Sequence, residues 1–242
     1  MSYIKFKKTK IVATLGPGCS SKTMLSRLIK AGVNVFRINF SHATYEEADR
    51  HIDLIRSLNQ ELDTNVAIMA DLQGPKIRIG KMEDGVVFKK GDEFTLSTKK
   101  EIVGNKTKAS LSYKDFAKDV KKGDKVLVDD GKLIFEVIST NKKDEVKLRN
   151  LQGGKLSSKK GVNLPNTKIS TPSLTKKDKK DLMYAISKEL DWVALSFVRD
   201  ANDMINLRKI IERESEEKIP IIAKIEKPEA IKNIEDIIQN SD

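Results

Sequence analysis

The sequence predicts an α/β protein: a parallel sheet flanked by helices, interrupted by a small all-β domain. Three observations predict it. Apolar strand runs alternate with amphipathic helical runs over residues 9–72 and again after Pro172. From Gly74-Pro75 to about Pro172 the texture changes to short β runs and turns, and no helix of normal length is needed there. Strand ends carry polar residues where a strand buried on both faces should be apolar.

Each element has its own signal. Lys10 to Leu15 reads as the first strand and Gly16-Pro17-Gly18 as a turn. Ser20 or Ser21 caps a helix with Met24, Leu25, Leu28 and Ile29 on its apolar side, closed by Gly32. Strand two, Val33 to Phe40, places Phe36, Ile38 and Phe40 on one face and Arg37, Asn39 and Ser41 on the other. Thr44 with Glu47 is a capping box opening a helix that buries Ala48, Ile52, Ile55 and Leu58. Val66 to Asp71 is strand three. In the insert, Gly91–Leu96 and Gly123–Val128 each feed a turn into a strand, and Asp129-Asp130-Gly131 is a hairpin turn before Ile134 to Ile138. Val146-Lys147-Leu148 and Gly153-Gly154 continue that pattern. Thr175 and Asp178 then start a helix through Leu182, Ala185 and Ile186. Asp191 to Phe197 is strand four, followed by a helix with Met204, Leu207, Ile210 and Ile211. Pro220 to Glu226 is strand five, and Pro228 starts a last helix through Ile231, Ile234, Ile237 and Ile238.

Setting aside residues 75–172 leaves about 144, and at roughly 30 per strand-helix unit that is about five units. A closed (β/α)8 barrel needs eight. The chain is either a small open sheet or a barrel that stops short, and the second is the expectation, since Asn240-Ser241-Asp242 falls where a sixth strand should begin. Lys and Arg exceed Asp and Glu to give a net charge of +11. A lysine-rich surface accounts for most of that excess; an anionic partner is the sharper reading. The lysines are dispersed, with short clusters at Lys99-Lys100 and Lys176–Lys180, and few aromatics accompany them, which argues against a nucleic-acid partner. A lone cysteine, Cys19, cannot form an internal disulfide and fits a reducing, cytoplasmic compartment. No apolar run approaches a membrane span. Met1 to Lys10 is basic, but Ile11 to Leu15 is too short for a signal peptide.

Ligands of such sheets sit at the carboxyl ends of the strands. Collected there are Arg37, Asn39 and Ser41 from strand two, Asp71 from strand three, and Lys224 and Glu226 from strand five. Two cations, two carboxylates, an amide and a hydroxyl suit a divalent ion and a phosphate, and hence phosphoryl transfer. Each has a plainer reading: Arg37 with Asp71 as a buried ion pair, Lys224 with Glu226 as a strand-end pair, Asn39 and Ser41 as turn caps, His42 as a surface histidine. Their convergence from three strands favours a site.

The segments Lys8–Pro17, Arg37–His42, Asp71–Arg78, Val128–Gly131, Lys159–Pro165 and Ala223–Glu226 together resemble the N-terminal part of the pyruvate kinase family. The resemblance implies a TIM-barrel A domain at 1–74 and 173–242, truncated before strand six, with a β-barrel B domain inserted at 75–172. It implies phosphoryl transfer from phosphoenolpyruvate to ADP, giving pyruvate and ATP, in a cytoplasmic enzyme whose full-length relatives are homotetramers. Lys224 and Arg37 are the implied catalytic positions and, with Ser196, the substrate-binding ones. Glu226 is one carboxylate ligand of Mg2+ or Mn2+. Asn39, His42, Arg78 and Lys160 are nucleotide-side positions. Asn39, Ser41, Asp71 and the Leu72 carbonyl match a monovalent-cation site.

Two departures qualify this. Leu72 and Lys76 stand where K+-requiring members usually have threonine and glutamate, so Lys76 is expected to replace K+, which is then not required. Ala43 replaces a glycine, with little consequence. The motif carrying the second metal carboxylate would follow Asp242, so the piece alone is expected to have little activity and marginal stability. The alternatives are a catalytically dead anion-binding fragment and a metal-dependent barrel lyase acting on pyruvate-like substrates.

Overall fold

The computed structural model describes residues 8–165, 167 and 169–242. Most of the basic start read above, Met1 to Lys10, lies outside these residues. The chain divides into two compact units: residues up to Gly74 together with Ser173–Asp242, and Pro75–Pro172.

The first unit is a five-stranded parallel sheet in chain order: β1 (Val12–Thr14), β2 (Val35–Asn39), β3 (Ala67–Asp71), β4 (Trp192–Leu195) and β5 (Ile221–Ala223). Its helices are α1 (Lys22–Ala31), α2 (Tyr45–Leu62), α3 (Lys176–Ser187), α4 (Ala201–Glu214), α5 (Pro228–Lys232) and α6 (Ile234–Gln239). The alternation in β2 is real: Phe36 and Ile38 are buried and Arg37 and Asn39 half-buried. Fully burying each such apolar side chain contributes roughly 1.5–3 kcal/mol. Helix starts follow the capping signals. Ser21 accepts the N–H of Met24, and Thr44–Glu47 and Thr175–Asp178 are reciprocal capping boxes. Gly32 ends α1 at φ 101, a left-handed conformation that costs glycine nothing.

One local device recurs at the amino end of the sheet. Asn34 donates its N–H to the Ile11 carbonyl while its Oδ1 accepts the Ile11 N–H at 2.9 Å. Asp191 does the same to Ile68, its carboxylate accepting at 2.7 Å, and Asp242 to Ile221 at 3.0 Å. Each clamp satisfies a backbone donor that would otherwise lack a partner at a strand start. Register then carries the alignment to the carboxyl end, where Asn39 and Ala194 both lie opposite Asp71.

The structure corrects three readings. The last helix is two short ones broken at Asn233, and Ile231 and Ile238 are exposed. β5 ends at Ala223, so Lys224 and Glu226 follow the strand instead of sharing its face, although the Lys224 N–H still bonds the Leu195 carbonyl. Ile11 and Val12 are exposed because β1 is an edge strand covered by little.

The second unit is a seven-stranded sheet in the order Ile77–Arg78, Gly161–Asn163, Lys125–Val128, Leu133–Thr140, Glu145–Gln152, Glu93–Ser97, Lys108–Ser110. Hydrogen bonds from Gly80 N–H to the Ser110 carbonyl and from Ser112 N–H to the Arg78 carbonyl join its two outer strands, so the sheet closes on itself. Phe88, Phe94 and Phe135 meet edge-on or tilted in its own apolar core. The hairpin turn holds Asp129, Asp130 and Gly131 all at positive φ.

Candidate functional site

Asp71, at the end of β3, is the centre of the first unit's polar cluster and is 1% exposed. Its carboxylate accepts from Arg37 Nε at 2.7 Å and from Nη2, and from Lys224 Nζ at 3.0 and 3.1 Å. Arg37 is steadied on its other side by Thr14 Oγ1, which accepts from Nη1 at 2.8 Å. Lys224 also donates to Ser196 Oγ at 2.8 Å, and Ser196 donates to the Leu72 carbonyl at 2.7 Å. Both cations are therefore pinned from beneath by one buried carboxylate, with about a quarter of each side chain open to solvent.

Glu226 completes the row. One oxygen accepts the Phe197 N–H at 3.0 Å, and the other lies 3.7 Å from Lys224 Nζ. Phe197 can make that bond because its backbone turns left-handed at φ 58, an uncommon conformation for a residue with a Cβ. Gly74 makes room beside it. A Cβ there would lie 2.8 Å from the Phe197 ring and 3.0 Å from the Ser196 carbonyl.

Arg37, Asp71, Ser196, Lys224 and Glu226 are thus linked by direct contacts. Asn39 sits in the same row, but its Oδ1 accepts the Ser41 N–H, the turn-capping role. His42 is exposed on the turn that follows, its N–H bonded to the Asn39 carbonyl. The two border a cleft of about 580 Å³ that also meets Leu15, Pro17, Ala43 and His51. The Leu72 carbonyl and the Asp71 carboxylate, two of the expected cation ligands, are engaged by Ser196 and by Lys224 with Arg37. Arg78, Lys76 and Lys160 belong to the second unit. There Arg78 Nη1 donates to the Lys159 carbonyl at 2.9 Å, and Lys160 pairs with Asp129 at 3.0 Å, helping to hold the Asp129 carboxyl below its ordinary range.

Sequence reasoning missed Thr14 and Phe197. Thr14 ends β1, and the rule that found the other strand-end residues would have found it. The Phe197 backbone has no such signal, because phenylalanine gives no hint of a positive φ.

Chemically, the cluster presents two oriented cations and one rim carboxylate that is partly open to solvent. Among the described residues no group of three or more His, Cys, Asp or Glu side chains is arranged to hold a metal. Glu226 alone fits as one hard oxygen ligand of a divalent ion that takes other ligands from substrate oxygens. No helix among the described residues is long and apolar enough to cross a membrane.

A family model described as pyruvate kinase, barrel domain, matches residues 6–242. A protein named pyruvate kinase from Staphylococcus saprophyticus is 44% identical over 238 residues, covering 98% of this chain and 40% of that protein. A pyruvate kinase from Staphylococcus haemolyticus is 43% identical with the same coverage. One from Clostridium perfringens is 40% identical over 237 residues, covering 98% of this chain and 50% of that protein. The chain spans half or less of the length of these relatives.

Proposed function

The chain belongs to the pyruvate kinase family, and from that premise we propose that it supplies part of an enzyme moving the phosphoryl group of phosphoenolpyruvate to ADP. The observation that carries the proposal is the linked row Arg37–Asp71–Lys224–Glu226. In this reading residues 1–74 and 173–242 are about five of the eight units of a (β/α)8 barrel, and residues 75–172 are the inserted B domain.

Arg37 grips the substrate phosphate with a planar fork, and Lys224 offers a point charge to the phosphoryl group in transfer. Asp71 fixes both cations so that they need no reorganisation when charge builds on the phosphoryl oxygens. Ser196 orients Lys224 and lies at the substrate side. Glu226 is one ligand of Mg2+ or Mn2+, which when bound neutralises charge on the substrate oxygens. Asn39, His42, Arg78 and Lys160 serve the nucleotide. Asn39, Ser41, Asp71 and the Leu72 carbonyl surround the monovalent-cation position, whose charge Lys76 supplies, so K+ is not required. The whole enzyme is a cytoplasmic homotetramer, and these 242 residues alone have little activity.

Pyruvate formation from phosphoenolpyruvate and ADP by the enzyme at full family length tests the assignment. Lys224→Met should lower kcat by about 10²–10³ if its charge acts in the transition state; undiminished turnover would sink the reading. A large rise in rate on adding K+ would reject the Lys76 substitution.

A further inference from the structure

We propose that the second unit carries an anion site of its own, a cleft that takes a small oligophosphate. The cleft, about 550 Å³, lies where the two outer strands of that unit join, and its walls come from residues 78–81, 98–101, 110–112, Lys114 and Lys159. Six cations line it: Arg78, Lys81, Lys99, Lys100, Lys114 and Lys159. Glu101 is the single carboxylate among its lining residues.

The pairing pattern separates this cleft from an ordinary lysine-rich surface. Elsewhere in the unit seven lysines hold carboxylate partners, such as Lys125 with Glu136 and Lys147 with Glu93. None of the five cleft lysines forms an ion pair among the described residues. Like charges gathered on a concave wall repel one another and raise the local potential, and a bound polyanion offsets both effects. The Lys99-Lys100 cluster, conspicuous in the sequence, finds its place here.

The lining chemistry selects the ligand. Lysine ammonium groups suit phosphate oxygens. Ser112 accepts the Arg78 N–H with its hydroxyl oxygen, which leaves its own proton to donate. No aromatic side chain lines the cleft, so nucleic-acid bases have no surface on which to stack. A short, densely charged anion fits and a single-stranded nucleic acid does not. Only Arg78 is shared with the nucleotide-side residues proposed above, and the test leaves it in place.

Inorganic tripolyphosphate is titrated calorimetrically into the 242-residue chain at low salt, into Lys99→Glu/Lys100→Glu/Lys114→Glu, and into the same three positions changed to Gln. Circular dichroism confirms that each variant is folded, and the Gln set removes charge without adding repulsion. The expected result is one equivalent bound, weakened about tenfold or more in both sets, and unaltered by Arg37→Ala. No binding, equal binding by both sets and the parent, or a loss in Arg37→Ala alone overturns the site; the last outcome would leave the reading of the first unit standing. Single-stranded RNA that binds the cleft and resists displacement by tripolyphosphate overturns the choice of ligand.

Discussion

Asp71 is almost without contact with water, and its two carboxylate oxygens hold two cations, one from β2 and one from the segment that follows β5. Removing a partner from such a buried arrangement is costly because the remaining charges lose their compensation. Asp71→Ala should therefore lower stability by about 3–5 kcal/mol, read from the urea midpoint, with partial recovery in phosphate buffer, where an anion can stand between Arg37 and Lys224. His51 on α2 is a second costly residue. It is 8% exposed and its Nε2 has no hydrogen-bond partner. Burial, with Arg50 beside it, holds the imidazole below its ordinary range. A depressed folded-state value means that the stability it permits is present above pH 6.5 and is lost as pH falls below it. His51→Leu should raise Tm and flatten that acid limb; an unchanged limb would locate the titration elsewhere. At this scale the sequence showed which residues stand close together, because strand alternation puts Arg37 and Asn39 on one face of β2 and Asp71 ends the neighbouring strand. It could not show that Asp71 bridges Arg37 and Lys224, since the plain Arg37–Asp71 pair and a functional cluster begin from the same residues.

Among the elements, starts were easier to read than ends. The boxes at Thr44–Glu47 and Thr175–Asp178 and the stop at Gly32 are short-range chemistry, written in residues close together. The break at Asn233 and the early end of β5 depend on what packs nearby, and isoleucines at helical spacing gave no warning of either. The amino-end clamps also escaped notice, because Asn34, Asp191 and Asp242 look like ordinary turn residues until their partners Ile11, Ile68 and Ile221 are placed beside them. Asp191→Ala leaves the Ile68 N–H without its acceptor and should cost about 1–3 kcal/mol. Hydrogen exchange at the Ile68 amide should accelerate well before that of the strand interior. Uniform loss of protection across β3 and β4 would instead mean that the clamp acts on the whole sheet.

For the molecule as a whole, the change of periodicity at Gly74-Pro75 and Pro172 is visible in the sequence because a strand-turn texture cannot imitate helical spacing. Each unit has its own apolar core, and the contents of the two do not overlap. The piece Pro75–Pro172, expressed alone, should unfold in one cooperative transition and keep its sheet signature by circular dichroism; a molten or aggregated product would mean that its core is incomplete. That independence bears on the order of events as the chain leaves the ribosome. β3 must find β4 across roughly a hundred intervening residues, and closing a loop that long costs about 1 kcal/mol more than closing one a few times shorter. If the intervening stretch has already collapsed onto its own phenylalanines, the two strands are joined by a compact bead on short tethers, and the late, long-range search becomes a local one.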